Sequence, residues 1–543
     1  MKKPIALWGE GNRGKLKLAA SMLFLVLALC LVMHYMFAVL PMNMHSDDTD
    51  TIMWAQATYD SGKLLNPDFC YACFLPFGGQ LLMLPFFPVF GFSMRTHLCG
   101  MVLFLGLWAL SMVFLFRSFR WSYGKSFFAT GVMLLFPLCS KMVRDVFYGH
   151  IIYYSLGLLF LFVAMGLALR YLDEDTKNAD GSEKPLTRRD WILAALLFVW
   201  FLLCSTDGIM SIVIFAAPCI GAFFLERLLD REAPRVFDRR MVLLLLAMVL
   251  GFAAGFGVSK VLTAQMHSDY AETLSAFNAK GGWLDSLFKL FPHWFSMLGV
   301  DIPTGTSMLS PAGVLYLVRI FMALVLAAVP LLSLFVYRKL PRFGRIMILA
   351  HFILTLLIAL GYTFGMLWNN EWRLCPLILT ALLCCIVLVD YGFRSSDLSA
   401  KRVATLGVVL GLAACALYGG TVLSLPNRRN QETGFHRLAV FLEDNGLTYG
   451  YGGFWQSNSI TLAAKNDVKI RCVTFDNGDP EPFWYQTCKS WYTDQPGQET
   501  YFLLLTTEQY DQALAEPYPV LEKSTGTLTF EDYVILLFDE NLF

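Results

Sequence analysis

Residues 18–50 read LAASMLFLVLALCLVMHYMFAVLPMNMHSDDTD, a long, mostly apolar segment followed by three carboxylates within four residues. The apolar part, 18–40, is long enough to cross the hydrocarbon core of a bilayer as a helix. Asp47, Asp48 and Asp50 therefore follow a span at the boundary with water, where a cluster of ionisable side chains indicates a functional site. The stretch predicts a membrane protein with an acidic site just beyond its first span.

The acidic cluster has two interpretations. Ser46, Asp47 or Asp48 could cap a helix predicted over residues 49–61, which Gly62 would end. Close carboxylates also repel one another, and this repulsion raises the proton affinity of at least one of them, which suits a general base. From the three acids alone, capping and catalysis are equally well supported.

The composition excludes an ordinary soluble protein. Of the 543 residues, 56% are hydrophobic and only 15% are charged, which is typical of a chain that crosses the membrane many times. Lysine plus arginine equals aspartate plus glutamate at 42 each, so no overall basic field points to nucleic acid.

Eleven apolar segments are predicted to span the membrane: 18–40, 97–116, 126–140, 151–170, 191–204, 209–225, 241–262, 311–336, 346–365, 374–391 and 403–424. Alternate loops between them differ in charge. The N-terminal tail and the loops at 117–125, 173–190, 227–240, 338–345 and 394–402 are rich in Lys and Arg, whereas the opposite set carries only isolated basic residues. The positive-inside rule then predicts a cytoplasmic N-terminus, with the acidic cluster and the segment after residue 424 outside.

The second predicted outer loop, KMVRDVFYGH at 141–150, is too polar for a simple turn. In one interpretation Lys141 and Arg144 contact a phosphate at the membrane surface, because a guanidinium group suits phosphate recognition. His150 also belongs to the site in this interpretation. In the other interpretation, Arg144 pairs with Asp145. Lys141 then extends its charged group to the membrane surface.

Two further outer segments carry candidate binding residues. Asp207, in the turn STDG, could assist the acidic cluster, although capping of the next helix is the favoured interpretation. The loop WNNEWR at 368–373 brings together aromatic rings, amides, Glu371 and Arg373, which is the mixture that a sugar site with a leaving phosphate needs. The alternative is an interfacial tryptophan belt with a local ion pair.

The composition changes at Pro426, where charges and turn residues return. Residues 425–543 therefore predict a small outer α/β or α+β domain, distinct from the membrane domain 1–424. Gly450, Gly452 and Gly453 are interpreted as a turn within it. Outside the spans, Cys70, Cys73, Cys472 and Cys488 could form disulfides, and no metal site is predicted from them.

The position of Asp47 and Asp48 in a long first outer loop, followed by a helix and the Pro- and Gly-rich sequence LPFGGQLLMLPFFPVFG, resembles the polytopic glycosyltransferases of the GT-C superfamily. The resemblance implies an α-helical membrane protein that takes a sugar from a polyprenyl-phosphate donor and passes it to a glycan, lipid or protein acceptor outside the cytoplasm. It also implies an outer-loop aspartate as the base.

The residues are compatible with such a mechanism. Asp48 or Asp47 would accept the proton of the acceptor hydroxyl while that oxygen inverts the anomeric carbon, with Asp50 nearby as a binding residue. Arg144, Arg373 or both would stabilise the departing phosphate. Asp48-Thr49-Asp50 is the one Asp-x-Asp sequence in the predicted outer segments; no cofactor is expected, and a divalent metal is possible but not favoured.

The competing hypothesis is a transporter or flippase for a lipid-linked or soluble glycan. It is disfavoured because the chain shows no duplicated half and no charge deep within a span, whereas alternating access uses a site at the midplane and commonly an internal repeat.

Overall fold

The computed structural model describes residues 12–172, 185–230, 238–266, 268, 276–365, 369–427, 433–516 and 518–543. The N-terminal tail, parts of two predicted cytoplasmic loops and Trp368 lie outside these ranges. Within them, nine helices are long and apolar enough to cross a membrane: Gly14–Met42, Met94–Ser118, Tyr153–Tyr171, Ile209–Leu229, Arg239–Leu262, Pro311–Lys339, Arg342–Phe364, Glu371–Arg394 and Leu398–Leu423.

The two other predicted spans are also helical. Tyr123–Cys139 is a shorter apolar helix that tightens into a 3₁₀ turn at its end. Arg188–Ser205 has three charged residues in its first turn and packs along Arg239–Leu262. All eleven predicted segments therefore coincide with helices, and the predicted multi-pass helical membrane fold is confirmed.

The acidic stretch folds as one 3₁₀ turn, Ser46–Thr49, which leads directly into the helix Asp50–Ser61. Gly62 ends this helix with a φ of 64°, the left-handed conformation that glycine adopts without steric cost. The helix predicted after the acids is thus present. Beyond it, the proline-rich segment forms one short apolar helical segment, Gly79–Phe90.

The C-terminal segment contains a six-stranded mixed sheet in the order β4-β3-β2-β6-β8-β7. Its central strands pair in parallel and its other strands pair antiparallel. The strands are β2 Tyr449–Gly453, β3 Lys469–Asn477, β4 Asp479–Pro482, β6 Tyr501–Thr506, β7 Gly526–Phe530 and β8 Tyr533–Phe538. The helices Gly434–Asp444, Phe454–Ala463 and Thr507–Ala515 accompany them.

The turn predicted at Gly450, Gly452 and Gly453 is wrong, because all three residues lie in the central strand β2. A Cβ on Gly450 would lie 2.5 Å from the ring and the carbonyl oxygen of Phe502 on β6. Glycine is therefore needed here for close packing between neighbouring strands.

A two-stranded antiparallel ribbon joins the sheet-bearing segment to the first outer loop. Strand β1, Phe69–Cys70, pairs with β5, Thr487–Cys488. The Gln486 amide also donates to the Cys70 carbonyl at 2.8 Å. These backbone bonds hold the residues just before β5 against the acidic stretch.

Candidate functional site

A cavity of about 310 Å³ opens beside the acidic stretch. Its walls come from the first two outer loops, the start of the helix Tyr153–Tyr171, the 283–301 and 369–374 regions and the segment before β5. The lining residues are His45, Asp47, Asp50, Trp54, Ala72, Cys73, Ser140, Lys141, Met142, Asp145, Val146, His150, Ile152, Tyr153, Tyr154, Met210, Ser296, Asp301, Trp372 and Tyr485.

His45 lies between two buried carboxylates at one wall of the cavity. Its Nε2 atom is 3.6 Å from Asp48 Oδ2 and 3.8 Å from Asp145 Oδ2. The His45 backbone amide also donates to Asp48 Oδ2 at 3.1 Å, and the hydroxyl of Tyr35 donates to Asp145. Tyr35 reaches Asp145 from a π-helical turn, Tyr35–Val39, at the end of the first span.

Asp48 is fully buried and does not line the cavity. Its other oxygen, Oδ1, lies 3.4 Å from His150 Nδ1. A Cβ on Gly149 would lie 2.6 Å from the same Oδ1 atom, so only glycine permits this approach. The Asp48 carboxylate thus accepts from the His45 backbone amide, as a side chain does in a capping box. It also lies between the side chains of His45 and His150. The capping and functional interpretations are therefore not exclusive.

The histidines decide the charge of Asp48. Burial opposes its ionisation, but the charge of His45 and the hydrogen bond and charge of His150 outweigh burial and lower the pKa of Asp48. Burial likewise opposes protonation of His45, but the charges of Asp48, Asp145 and Asp47 raise its pKa to about 9. At neutral pH the wall therefore carries an imidazolium against an ionised Asp48.

The other two acids of the cluster bind protons more readily. Burial raises the pKa of Asp47, as does the charge of Asp48, although His45, His150 and Arg373 oppose the shift. Burial and the charge of Asp47 raise the pKa of Asp50 well above its ordinary value, against a hydrogen bond from the Gln486 side chain. Both carboxyls line the cavity, so the acids of the cluster that bind protons most readily are those that face the cavity.

The two arginines predicted to contact phosphate lie behind the lining residues. Arg144 donates from Nη1 to the Leu138 carbonyl at 3.0 Å, and its guanidinium lies 5.5 Å from the Tyr35 ring centre. The predicted Arg144–Asp145 pair is absent from the ion pairs of the described residues, where Asp145 instead faces His45. Lys141, which is exposed, lines the cavity.

Arg373 acts on the cavity through two tyrosines. Its Nη1 donates to the hydroxyl of Tyr153 at 2.7 Å and to that of Tyr154 at 2.9 Å. Both tyrosines line the cavity. The Tyr153 hydroxyl in turn donates to that of Tyr154 at 3.2 Å, so Arg373 and Tyr153 together polarise the Tyr154 O–H as a donor.

Asp207 and Glu371 lie outside the lining. Asp207 is buried and accepts from the Phe77 amide at 3.2 Å, while the helix after it begins without a side-chain cap. The favoured capping interpretation of Asp207 is therefore wrong: its carboxyl binds the first outer loop. Glu371 accepts from the Ser296 hydroxyl at 3.4 Å, next to the lining residue Trp372.

Several lining residues were not singled out from the sequence as parts of the site. His45 directly precedes the acidic stretch, and its adjacency to three acids was a usable signal. Tyr153, Tyr154 and Tyr485 gave no such signal, because they converge only in the folded chain. Cys73 also lines the cavity, and like Cys472 and Cys488 it is a buried free thiol.

One group of residues could hold a metal ion. Ligand atoms of His45, Asp48 and Asp145 all lie within 4.8 Å of one another. An imidazole must be neutral to bind a metal, and the pKa of about 9 keeps His45 protonated at neutral pH. A divalent ion would therefore have to displace this proton.

The whole fold is similar to that of ArnT from Cupriavidus metallidurans. The crystal structure of that protein bound to undecaprenyl phosphate matches with a TM-score of 0.51 and 12% identity, over 96% of this chain and 98% of that chain. Its apo crystal structure matches with a TM-score of 0.54 at the same identity and coverage. No protein-family model and no curated protein sequence matches the chain. The end-to-end likeness confirms the predicted GT-C fold.

Proposed function

We propose that this chain, which has the GT-C fold, is a membrane glycosyltransferase that uses a polyprenyl-phosphate sugar as its donor and an acceptor outside the cytoplasm. The observation that supports the proposal most directly is the cavity beside the first span, where carboxylates with unequal proton affinities face tyrosines polarised by an arginine. The fold is similar to that of a protein crystallised with undecaprenyl phosphate, which is the lipid-phosphate part of a donor of the proposed class.

Asp47 is the proposed base. It lines the cavity, and its raised pKa lets it hold the proton that it removes from the acceptor hydroxyl. As that proton moves to Asp47, the acceptor oxygen bonds to the anomeric carbon. The bond from that carbon to the phosphate oxygen breaks, and its electron pair leaves with the polyprenyl phosphate. Asp48 is the proposed positioning residue, because it is buried and fixes His45 and His150.

The donor phosphate is proposed to bind between Lys141 and the Tyr153–Tyr154 pair. Lys141 supplies a full positive charge at the cavity, and Arg373 strengthens the Tyr154 hydroxyl donor, both directly and through Tyr153. Charge that develops on the leaving phosphate would therefore meet preorganised donors, which is the arrangement that lowers a barrier most.

The proposed reaction is independent of metal, because protonated His45 supplies the positive charge that a divalent ion would otherwise bring to Asp48 and Asp145. Transfer by protein that has been dialysed against a chelator should therefore equal transfer by untreated protein. Activity that disappears with chelation and returns with a divalent cation would contradict this part of the proposal.

The decisive experiment uses the full chain reconstituted in liposomes, with radiolabelled polyprenyl-phosphate sugars as donors and an envelope extract as acceptor. Label should move to the acceptor, and free polyprenyl phosphate should appear in equal amount. Asp47→Asn should reduce transfer by about 100-fold or more, because the amide cannot accept the proton. The matched control is Asp60→Asn, which changes an exposed acid at the far end of the helix that follows the acidic turn.

The assay also tests the transporter hypothesis. Movement of the labelled sugar across the bilayer with no new glycosidic bond would identify a transporter or flippase. Equal transfer by wild type and Asp47→Asn would remove Asp47 from the role of base.

A further inference from the structure

A second cavity, of about 850 Å³, lies at the opposite end of the membrane helices from the acidic cluster. The helix Tyr153–Tyr171 contributes to both cavities, with Tyr153 at the first and Arg170 at the second. Seventeen residues of helix separate these two positions by about 25 Å, close to the thickness of a bilayer's hydrocarbon core. The second cavity is thus separate from the proposed catalytic site.

The wall of this cavity is basic and apolar. No Asp or Glu of the described residues lines it, whereas it contains Phe119, Leu169, Leu172 and Phe343 together with six arginines: Arg117, Arg120, Arg170, Arg189, Arg342 and Arg394. The bias of loop charge toward one side of the membrane explains why basic residues occur here. It does not explain why six of them surround one cavity.

Two of the six arginines pair with buried carboxylates, which they share with Arg345 and Lys125 respectively. Arg342 pairs with the buried Glu226 at 3.0 Å, and Arg394 pairs with the buried Asp390 at 3.0 Å. Each pair of cations exceeds its carboxylate by one charge, so the wall of the cavity keeps a net positive charge.

Arg117 and Arg170 form no ion pair with any residue that the structure describes. Arg117 donates from Nη1 to the Trp121 carbonyl, and Arg170 donates from Nε to Ser118 Oγ at 3.0 Å. A guanidinium has five N–H groups, so each has donors left for a ligand. Arg170 also experiences repulsion from the charges of Arg117 and Arg189, which an anion in the cavity would relieve.

We propose that this cavity binds a phosphate-bearing anion, with Arg117 and Arg170 as its principal ligands. The planar guanidinium donates two parallel hydrogen bonds to phosphate oxygens, and basic pockets between the ends of membrane helices bind lipid head groups. The apolar residues of the wall suit a phosphate that carries an organic group. The proposal is independent of the transfer reaction, so its failure would leave that reaction untouched.

The test measures binding to the purified full chain by native mass spectrometry, with phosphatidylglycerol, phosphatidylcholine and inorganic pyrophosphate as separate probes. Wild type should bind phosphatidylglycerol in preference to phosphatidylcholine. Arg117→Gln/Arg170→Gln should bind it about thirtyfold more weakly, as expected for the loss of two arginines near a membrane surface. The matched control, Lys401→Gln/Arg402→Gln, removes two exposed charges outside the cavity and should bind like wild type.

Arg117→Lys/Arg170→Lys keeps the charge and provides a second variant if the glutamine protein does not fold. It should bind with intermediate affinity, because lysine cannot donate in the bidentate geometry. Pyrophosphate binding that depends on the same two arginines, without a lipid preference, would identify a soluble phosphate as the ligand. The proposal would be overturned if wild type neither preferred phosphatidylglycerol to phosphatidylcholine nor bound pyrophosphate. Equal binding by the glutamine and control variants would also overturn it.

Discussion

His45 and Asp48 form the charged pair on which the site depends. Asp48 is fully buried, and its two oxygens face His45 and His150, so its charge holds both imidazoles in position. Asp47, one residue away, points into the cavity. Adjacent identical residues therefore have different surroundings, and substitution should separate their roles.

Asp48→Asn should impair both folding stability and transfer. The amide leaves the protonated His45 without its closest buried counter-charge, which should cost about 3 kcal/mol of unfolding free energy. Asp47→Asn should lose transfer while the unfolding free energy stays within about 0.5 kcal/mol of wild type. Denaturant unfolding of both variants in detergent, beside the transfer assay, measures the two effects. An unchanged stability of Asp48→Asn would remove its role in positioning the histidines.

The raised pKa of His45 makes stability depend on pH. The pKa is about 9 in the folded chain and 6.5 for an ordinary histidine, so the stabilisation is complete below about pH 6.5 and is lost as the pH rises through about 9. His45→Gln removes this contribution. The melting temperatures of wild type and His45→Gln should differ most near pH 6 and converge above pH 9. A difference that stays constant over this range would show that His45 carries no charge in the folded protein.

At the scale of elements, the β1–β5 ribbon brings the C-terminal segment into the site. The residues just before β5 supply Tyr485 to the cavity wall, and the side chain of Gln486 accepts a hydrogen bond from the indole N–H of Trp54 in the first outer loop. Gln486 is fully buried, and its side chain also acts on the pKa of Asp50, against the shift that burial produces. The C-terminal segment therefore completes the wall of the cavity, although it lies more than 400 residues along the chain.

Gln486→Ala should reduce transfer and lower stability by about 1 to 3 kcal/mol, because it leaves the buried indole N–H of Trp54 without its acceptor. The backbone keeps its φ of 55° in either case, so the loss reports the side chain. Lys489→Ala, an exposed position just after β5, provides the matched control. Melting curves and initial rates of the two variants make the comparison. Wild-type rates in Gln486→Ala would show that the ribbon only tethers the domain.

At the scale of the whole molecule, hydropathy was sufficient to predict the membrane helices, because about 20 consecutive apolar residues have few stable alternatives to a span. The acidic stretch and its helix were predictable because their signals are local. The partners of the acids were not, since Asp145 and Gln486 reach them only through tertiary packing. Arg144 shows the limit most clearly: its position in the loop was suitable, but its side chain turns toward Leu138.

The orientation of the chain in the membrane is the last prediction, and it rests on the charge of the loops. The acidic cluster and the C-terminal sheet lie together, joined by the β1–β5 ribbon, so they must occupy the same side of the membrane. The basic loops, including 394–402, then lie on the cytoplasmic side. In intact cells, a membrane-impermeant maleimide should label Asp444→Cys and should label Lys401→Cys only after permeabilisation. Both positions are exposed, so the reverse pattern would place the acidic site in the cytoplasm and contradict an outward-facing acceptor.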